Sequence, residues 1–513
     1  QEATMETGTD LYVVVYNALS TSRNEVMAIP VSRDATFEVF NVETNAKVDI
    51  ALMPSSGNIG DSSSKYTLHF EANSIPPLGA VTFQIKMIST ESSVVKASEA
   101  NNTNLQSNVV QEWGYYTSYE NSKESMIGKT SSRQESGAYI FRPSPRNADI
   151  TPLEISGIET YSSPILTEIR TNYSNWVKQV ERIYRGTSYT EIEYTVGPIP
   201  QGTEVVTRYI SKISSNATFY TDSNGRDFIQ RKLNYRPTWN LTQFQPVSGN
   251  YYPVNAAIFL EDFKSSLSVL TDRSQGGTSL KDGVIELMVQ RRTNTDDSRG
   301  VGEPLDETDE GMTPYPPYGR AERKGKGVII TGAHMVQFRD VGNGASVSRA
   351  GMDLFFSHAQ LFFMSSPAKL QETALPLLFL RPTFSLLPQQ KPLPKNVMMV
   401  TYTKPYNDNR PGVFNIRLSH QYGKGEDDVL SQPVTIFFKD IFVTKVISVE
   451  EKTLTFNQNY DSREKKRLQW EHGLDVTKKL NKLTLKDDNY SVTLEPLEIR
   501  SFEVIVEVSV DFS

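Results

Sequence analysis

The stretch ELMVQRRTNTDDSRG, Glu286 to Gly300, gathers the residue types that act on polar substrates: two adjacent arginines, two adjacent aspartates and a third arginine. A guanidinium at the end of a strand can grip a carboxylate. Lys281-Asp282-Gly283 signals a tight turn, and the strand starts at Val284. By strict alternation Arg291 continues the face of Ile285, Leu287 and Val289, and Arg292 the face of Val284, Glu286 and Met288. If the first face is the core, Arg291 needs a carboxylate, which Asp296 or Asp297 can supply after a turn. Read on its residues alone, the stretch is either part of a site or an Arg–Asp clasp holding a turn.

Other chemistry is thinly represented. The five histidines, His69, His334, His358, His420 and His472, show no i, i+4 pair and no HExxH setting, so no zinc motif is visible. There is no cysteine, which removes disulfides and thiolate metal sites. No GxSxG elbow, phosphate-binding loop or strand–GxGxxG–helix unit occurs. Hydrolysis of a glycosidic bond needs two carboxyl groups about 5–10 Å apart. Asp222, Asp272, Asp282, Asp296 and Asp297 are the candidates, and nothing in the sequence pairs them.

The elements that must carry these residues alternate with period two between Gly, Pro, Asn and Asp. TFQIKMI (82–88), EVVTRYI (204–210), VTIFFKDIFVTKVISV (434–449) and FEVIVEVSV (502–510) read as strands, and Leu474–Leu483 is the best helical candidate. The chain is read as mostly β. LYVVVYN (11–17) echoes VMMVTYTKPYN (397–407), and the hairpin around Pro77-Leu78 echoes that around Pro496-Leu497, with Phe83 matching Phe502. This suggests a small β-sandwich at 1–92, a polar linker or loop at 93–125, a large central β-sandwich at 126–395 and a C-terminal β-sandwich at 396–513. The loop 303–327 mixes acidic, Pro-rich and basic parts and reads as exposed.

With 513 residues the chain exceeds one ordinary core. A net charge of −7 argues against nucleic acid as the main partner. No apolar run approaches a membrane helix. A start at Gln1 reads as a processed chain. Sequons at Asn101, Asn172, Asn216, Asn240 and Asn489 permit a secreted route.

Several segments together resemble the C-terminal half of lysosomal-type α-mannosidases of glycoside hydrolase family 38. They are SGAYIFRP (136–143), YTVGPIP (194–200), GTEVVTRY (202–209), FYTDSNGRDF (219–228), LNYRPTWN (233–240), GNYYPVNAAIF (249–259), LTDRSQGGTSLKDGVIELMVQRR (270–292) and DDSRGVGEPL (296–305). The flanks match loosely, and 93–130 and 306–395 depart from the pattern. The resemblance implies a galactose-mutarotase-like central sandwich. It also implies a partner, the N-terminal α/β chain of the same precursor, carrying the nucleophilic aspartate and a zinc held by two His and two Asp. This chain then holds no catalytic residue and no metal ligand, is inactive alone, and completes a retaining hydrolase of terminal α-mannose on N-glycans. A dimer of the processed assembly and a lysosomal or vacuolar location, alternatively secretion, follow the same resemblance. Tyr139 is similar to a tyrosine reaching the substrate pocket, and one of Arg291 and Arg292 to an arginine at its edge, with Arg292 ranked ahead. Asp296, Asp297 and Arg299 read as support for that loop, and Asn240 as the family's glycosylation position. The alternative is a non-catalytic carbohydrate-binding protein, in which Tyr251 and Tyr252 stack on sugars or, preferably, pack between sheets.

Overall fold

The computed structural model describes residues 10–56, 64–98, 104–106, 108–120, 134–310, 325–364, 381–406, 408–468, 483–486 and 489–508. The expected helix at Leu474–Leu483 falls almost wholly outside them, as do Asn101, His472 and much of the 303–327 loop. The chain is mostly β and divides into two compact units, one of Gln1–Leu52, Leu68–Val94 and Phe356–Ser513, the other of Met53–Thr67 and Val95–Phe355.

The second unit contains two large antiparallel sheets. One has nine strands in the order Ile155–Ser162, Leu166–Tyr173, Val177–Tyr184, Thr190–Val196, Ile330–Arg339, Ser266–Thr271, Ala257–Glu261, Thr218–Asp222 and Phe228–Lys232. The other, of seven strands, runs Thr151–Pro152, Val109–Thr117, Thr203–Ile210, Val284–Arg292, Gln275–Thr278 and Tyr252–Val254, with Asn104–Gln106 on Val109–Thr117. Their facing sides share one core, in which Val109, Tyr209, Ile285 and Leu287 from one sheet meet Ile192, Phe219, Ile258 and Val336 from the other. Val109–Thr117 corrects the expected linker at 93–125, because its Trp113 is fully buried and pairs opposite Thr207. The alternation of VVQEWGYYT is real strand periodicity, which a Ser- and Asn-rich approach conceals. A helix that the sequence reading missed, Gly344–Phe356, packs Met352 and Phe355 against Leu270 and Met335. Its two glycines are poor helix formers, and its start is marked only by Asn343, whose side chain accepts from Ser346 N at 3.1 Å.

The first unit bears out the hairpin echo and changes the strand it begins with. Gly79–Ser89 lies between Asp10–Asn17 and Thr36–Asn41, while Tyr66–Ile75 pairs with Arg23–Val31 in a second sheet. In the same order, Ile499–Val506 lies between Val413–His420 and Val446–Lys452, while Asn489–Leu494 pairs with Val434–Phe437. The counterpart of LYVVVYN is therefore Val413–His420, not Val397–Thr403, which is one strand further out. At both corners where the chain changes sheet, a leucine adopts positive φ, +43° at Leu78 and +60° at Leu497. Residues 434–449 do not form one strand. Val434–Phe437 ends in a 3-10 turn at Phe438–Asp440, and the chain resumes in the other sheet at Val446. The apolar run is continuous because Phe438, Ile441 and Phe442 are buried at the crossing. Residues 360–364 and 383–385, expected in the central domain, pair here with Asp10–Asn17 and Gly79–Ser89.

Between the two large sheets lies a layer of titratable side chains. His334 is held by Tyr209 Oη on Nδ1 and Gln275 Oε1 on Nε2, both at 2.8 Å, and burial brings its imidazole down to about 3. Glu181, 3% exposed and with no hydrogen-bond partner for Oε1, is pushed up by burial to about 8. A histidine whose folded pKa is depressed loses stability as pH falls below 6.5 toward 3. A carboxyl whose folded pKa is raised contributes stability that is complete below 4.5 and lost as pH rises through 8. The two slopes oppose each other between those ordinary values, and above 6.5 only Glu181 acts. Glu181→Gln is therefore expected to abolish much of the decline in Tm between about pH 6.5 and 8. A variant whose Tm falls as steeply as that of the parent over this interval would contradict the assignment.

Candidate functional site

The site is built on the last turn of the strand Val284–Arg292, which pairs with Thr203–Ile210. The register runs Val206↔Met288 and then Val205↔Gln290, leaving Val289 as an extra residue. This bulge reverses the expected parity. Arg291 lies on the outer face of the sheet with Glu204, Val206, Arg208 and Glu286, while Arg292 shares the side of Ile199 and Val205.

Arg291 does find a carboxylate, but not in the Asp296-Asp297 pair. Its Nε donates to Glu204 Oε2 at 2.5 Å, and Glu204 is fully buried. Its Nη2 donates to the Ile140 carbonyl at 2.8 Å and to Ser136 Oγ at 3.1 Å, and the guanidinium carbon lies 5.8 Å from the centre of the Phe141 ring. Ser136 Oγ in turn donates to Glu204 Oε1 at 2.6 Å. Asp297, 1% exposed, grips the same segment from its other side, its Oδ2 accepting from Tyr139 N at 2.6 Å and Ile140 N at 2.9 Å. Gly137 permits this approach, since a Cβ there would sit 2.5 Å from Asp297 N. The peptide around Ile140 is thus clamped at N–H and C=O by opposite charges, and Tyr139 projects with 67% of its surface exposed.

Arg299 adds a further tie, donating to Gln134 Oε1, while Gln134 donates to the Asp297 carbonyl at 2.6 Å. Asp296 makes only a local turn, accepting from Ser298 N at 3.0 Å. Tyr139, Arg291, Asp297 and Arg299 therefore form one cluster, and Asp296 and Arg292 stand outside it. Arg292 donates Nη1 to the Ile199 carbonyl at 2.9 Å and packs on Gly327, where a Cβ would meet Nη1 at 2.6 Å. Its Nε has no acceptor, and no carboxylate pairs with it among the described residues.

The remaining carboxylate candidates are engaged in local structural contacts. Asp222 Oδ1 accepts from the N–H groups of Asn255, Ala256 and Ala257 at 2.8–3.0 Å. Asp282 holds Ser215 and Ala217, each at 2.9 Å, and Asp272 pairs with Arg273. Tyr251 donates to Glu286 and meets Phe141 edge-on at 5.0 Å, and Tyr252 lies under Arg231 and Arg236, so both pack within this unit. Of the sequons, Asn172, Asn216 and Asn240 are exposed and Asn489 is half-buried. Among the described residues no group of three His, Asp or Glu side chains has metal-binding geometry. Both ring nitrogens of His334 are engaged within the core and those of His420 face Asn396, Gln432 and Tyr422, so these rings do not suit a zinc site. Sequence reasoning missed Glu204, which lies 87 residues from its arginine and inside an apolar run.

Similarity to known proteins falls on the same region. Residues 87–299 match the glycosyl hydrolases family 38 C-terminal domain. An alpha-mannosidase of Arabidopsis thaliana is 32% identical over 98% of the chain, which covers 51% of that protein. Human lysosomal alpha-mannosidase is 32% identical over 98% of the chain, covering 50% of that protein. The mouse lysosomal alpha-mannosidase is 38% identical over 74% of the chain and 35% of its own length. The crystal structure of an alpha-mannosidase from Enterococcus faecalis shares the fold, with a TM-score of 0.57 at 10% identity over 97% of this chain and 56% of that one. The chain spans about half the length of the full-coverage relatives.

Removing one member of a buried ion pair strands the other, at a cost of about 3–5 kcal/mol. Glu204→Ala is expected to destabilise the chain by that amount in urea unfolding, and Glu204→Gln with Arg291→Met together by much less. A loss under about 1 kcal/mol for Glu204→Ala would show that the clasp does not hold the loop.

Proposed function

The chain belongs to glycosyl hydrolase family 38, whose C-terminal domain it carries, and from that premise we propose that it completes the substrate pocket of an α-mannosidase. The observation that carries this reading is the exposed Tyr139 on a peptide clamped by Asp297 and Arg291, inside the segment that matches the family domain. A rigidly held tyrosine loses little freedom when it meets a sugar, so its hydroxyl and ring are preorganised for hydroxyl and C–H contacts.

In this reading the substrate is a terminal α-D-mannose on an N-glycan or oligomannoside, and the hydrolysis retains configuration. The described residues of this chain do not fit a zinc site. Zinc and the nucleophilic carboxylate are assigned to an N-terminal half that corresponds to the remaining length of the relatives. The present chain binds and orients substrate and is inactive alone. Asn240, exposed beside Trp239, is the favoured glycan site. A lysosomal or vacuolar location follows from the lysosomal relatives, and a dimer of the assembly is part of the same reading.

The two arginines take different roles. Arg291 has its hydrogen bonds satisfied within the chain and positions Tyr139. Arg292 spends Nη1 on the Ile199 carbonyl and has its Nε buried, so the contact proposed for it, with a sugar hydroxyl or a carboxylate of the N-terminal half, falls to Nη2. A hydrogen bond to a charged group contributes about 1.5–3 kcal/mol, or roughly 10- to 100-fold. In the assembled protein Arg292→Ala is expected to lower kcat/KM on an aryl α-mannoside by that factor, and Tyr139→Phe by about tenfold, with unchanged Tm. Turnover by the isolated 513-residue chain would overturn the division of roles. Wild-type kcat/KM in Arg292→Ala would remove that arginine from the pocket.

A further inference from the structure

The outer face of the seven-stranded sheet carries a second constellation, at the opposite end of the strand Thr203–Ile210 from the Glu204 clasp. Arg208 and Glu286 face each other across neighbouring strands, with Nε to Oε2 at 2.5 Å, and are 5% and 1% exposed. Tyr116 donates to Glu286 Oε1 at 3.0 Å, and Tyr251 donates to the same oxygen. Burial, and then the neighbouring Glu286 carboxylate, raise the Tyr116 phenol well above its ordinary value, so it stays a neutral donor. Arg208 Nη1 reaches outward to Asp149 Oδ1 at 2.7 Å, and Lys281 reaches Asp149 Oδ2 at 2.6 Å.

These groups border a cavity of about 320 Å³, lined by Tyr116, Asn147, Asp149, Arg208, Asn234 and Lys281 among polar residues, with Val247 and Leu280 below. The inter-sheet core is on the other side of this sheet, so the buried charges here are not needed to join the two sheets. A buried charge pair costs desolvation energy and is weak evidence for stability, so this one invites a role other than holding the sheets together. The loop 233–250 supplies lining residues from both its ends, and between them holds Tyr235, Trp239 and Phe244 exposed at 53%, 63% and 72%.

We propose that this cavity is a carbohydrate subsite that receives a hexose of an oligosaccharide other than the one being released. It rests on the family 38 reading for the identity of the sugar. Arg208 pairs with Glu286 and Asp149, and Lys281 with Asp149, so the lining cations are already engaged by carboxylates and not free to capture an anion. What it does offer is planar groups with paired donors or acceptors (guanidinium, carboxylate and amide) matched to neighbouring hydroxyls. Tyr235, Trp239 and Phe244, which lie in sequence between the two lining segments, offer exposed aromatic surface of the kind that meets sugar C–H bonds, and the volume is at the lower end for small-ligand sites. Glu204 and Arg208 are four residues apart on one strand, about 13 Å. Phe141 bridges the interval, 5.8 Å from the Arg291 guanidinium and 5.6 Å from the Tyr116 ring. A substrate gripped near Tyr139 thus meets the cavity on the same sheet face.

The test uses the assembled protein and two exposed positions, Asp149→Ala and Tyr235→Ala. Each variant is assayed on an aryl α-mannoside, which has no second sugar, and on a high-mannose oligosaccharide. A rise of about five- to tenfold in KM for the oligosaccharide, with aryl α-mannoside kcat/KM within about twofold of the parent, supports the subsite. Unchanged KM on both substrates overturns it. Loss of association with the N-terminal half on gel filtration also overturns it, because the face is then an interface between the two parts. If the parent hydrolyses neither substrate, the α-mannosidase reading fails instead. Isothermal titration of the parent and Asp149→Ala with mannotriose then decides the subsite, binding lost in the variant supporting it and equal or absent binding in both refuting it.

Discussion

One extra residue in one strand sets the chemistry of this chain. Without the bulge at Val289, Arg291 would turn into the space between the sheets and Arg292 would face outward beside Glu204. With it, Arg291 reaches a fully buried carboxylate and the carbonyl of Ile140 in a single planar fork. A lysine could not make both contacts in that geometry. The Tyr139 loop, the Asp297 anchor and the Gln134–Arg299 tie all converge on the peptide so held. Bulges re-aim side chains at the rims of sheets, and here the re-aimed side chain is the one on which the loop is built.

The two faces of the seven-stranded sheet divide the work. Toward the nine-stranded sheet, Ile285, Leu287 and Tyr209 fill a core whose titratable members, His334 and Glu181, are held neutral by burial. On the outer face, Arg208 with Glu286 and Arg291 with Glu204 are paired across adjacent strands, Thr203–Ile210 and Val284–Arg292. Cross-strand neighbours are the natural unit of such pairing. It allows charge to be packed beneath loops without a deep cavity. Substitutions in the inter-sheet core act through stability, whereas loss of an outer-face pair acts both on stability and on the loop that the pair holds.

Much of the architecture was legible from period-two alternation, because strands with one buried face must alternate. What alternation cannot convey is where it slips. The bulge falls at Val289, directly after Leu287 and Met288, so the sequence around it reads as an unbroken strand and the parity of both arginines comes out reversed. Glu204 was hidden for a related reason. It lies in TEVVTRYI, where nearly every residue is buried on both faces, and its partner is distant in sequence. Asp297 was recognised as support from its place in DDSRG, yet its partners are backbone N–H groups, which no side-chain motif records. The Gly344–Phe356 helix lacked the composition of a helix and is held by its contacts with the sheet.

The two similar hairpin corners of the first unit show the complementary case, in which a short motif recurs where geometry demands it. At Pro77-Leu78 and Pro496-Leu497 the chain must leave one sheet and enter another within a few residues, and the leucine adopts a conformation that side chains avoid. Each strained leucine is tied down by donating its N–H, to the Leu19 carbonyl in one copy and the Tyr422 carbonyl in the other. Phe83 and Phe502 lie within the returning strands, each in contact with another phenylalanine, at 5.2 Å from Phe70 and 5.1 Å from Phe438. The strands between corners need only alternate, so Val397–Thr403 can look like Asp10–Asn17 although Val413–His420 holds the equivalent place in its sheet. Resemblance in a chain of this kind is best weighted toward its corners and bulges, where few residues satisfy the backbone, rather than toward its strands, where many do.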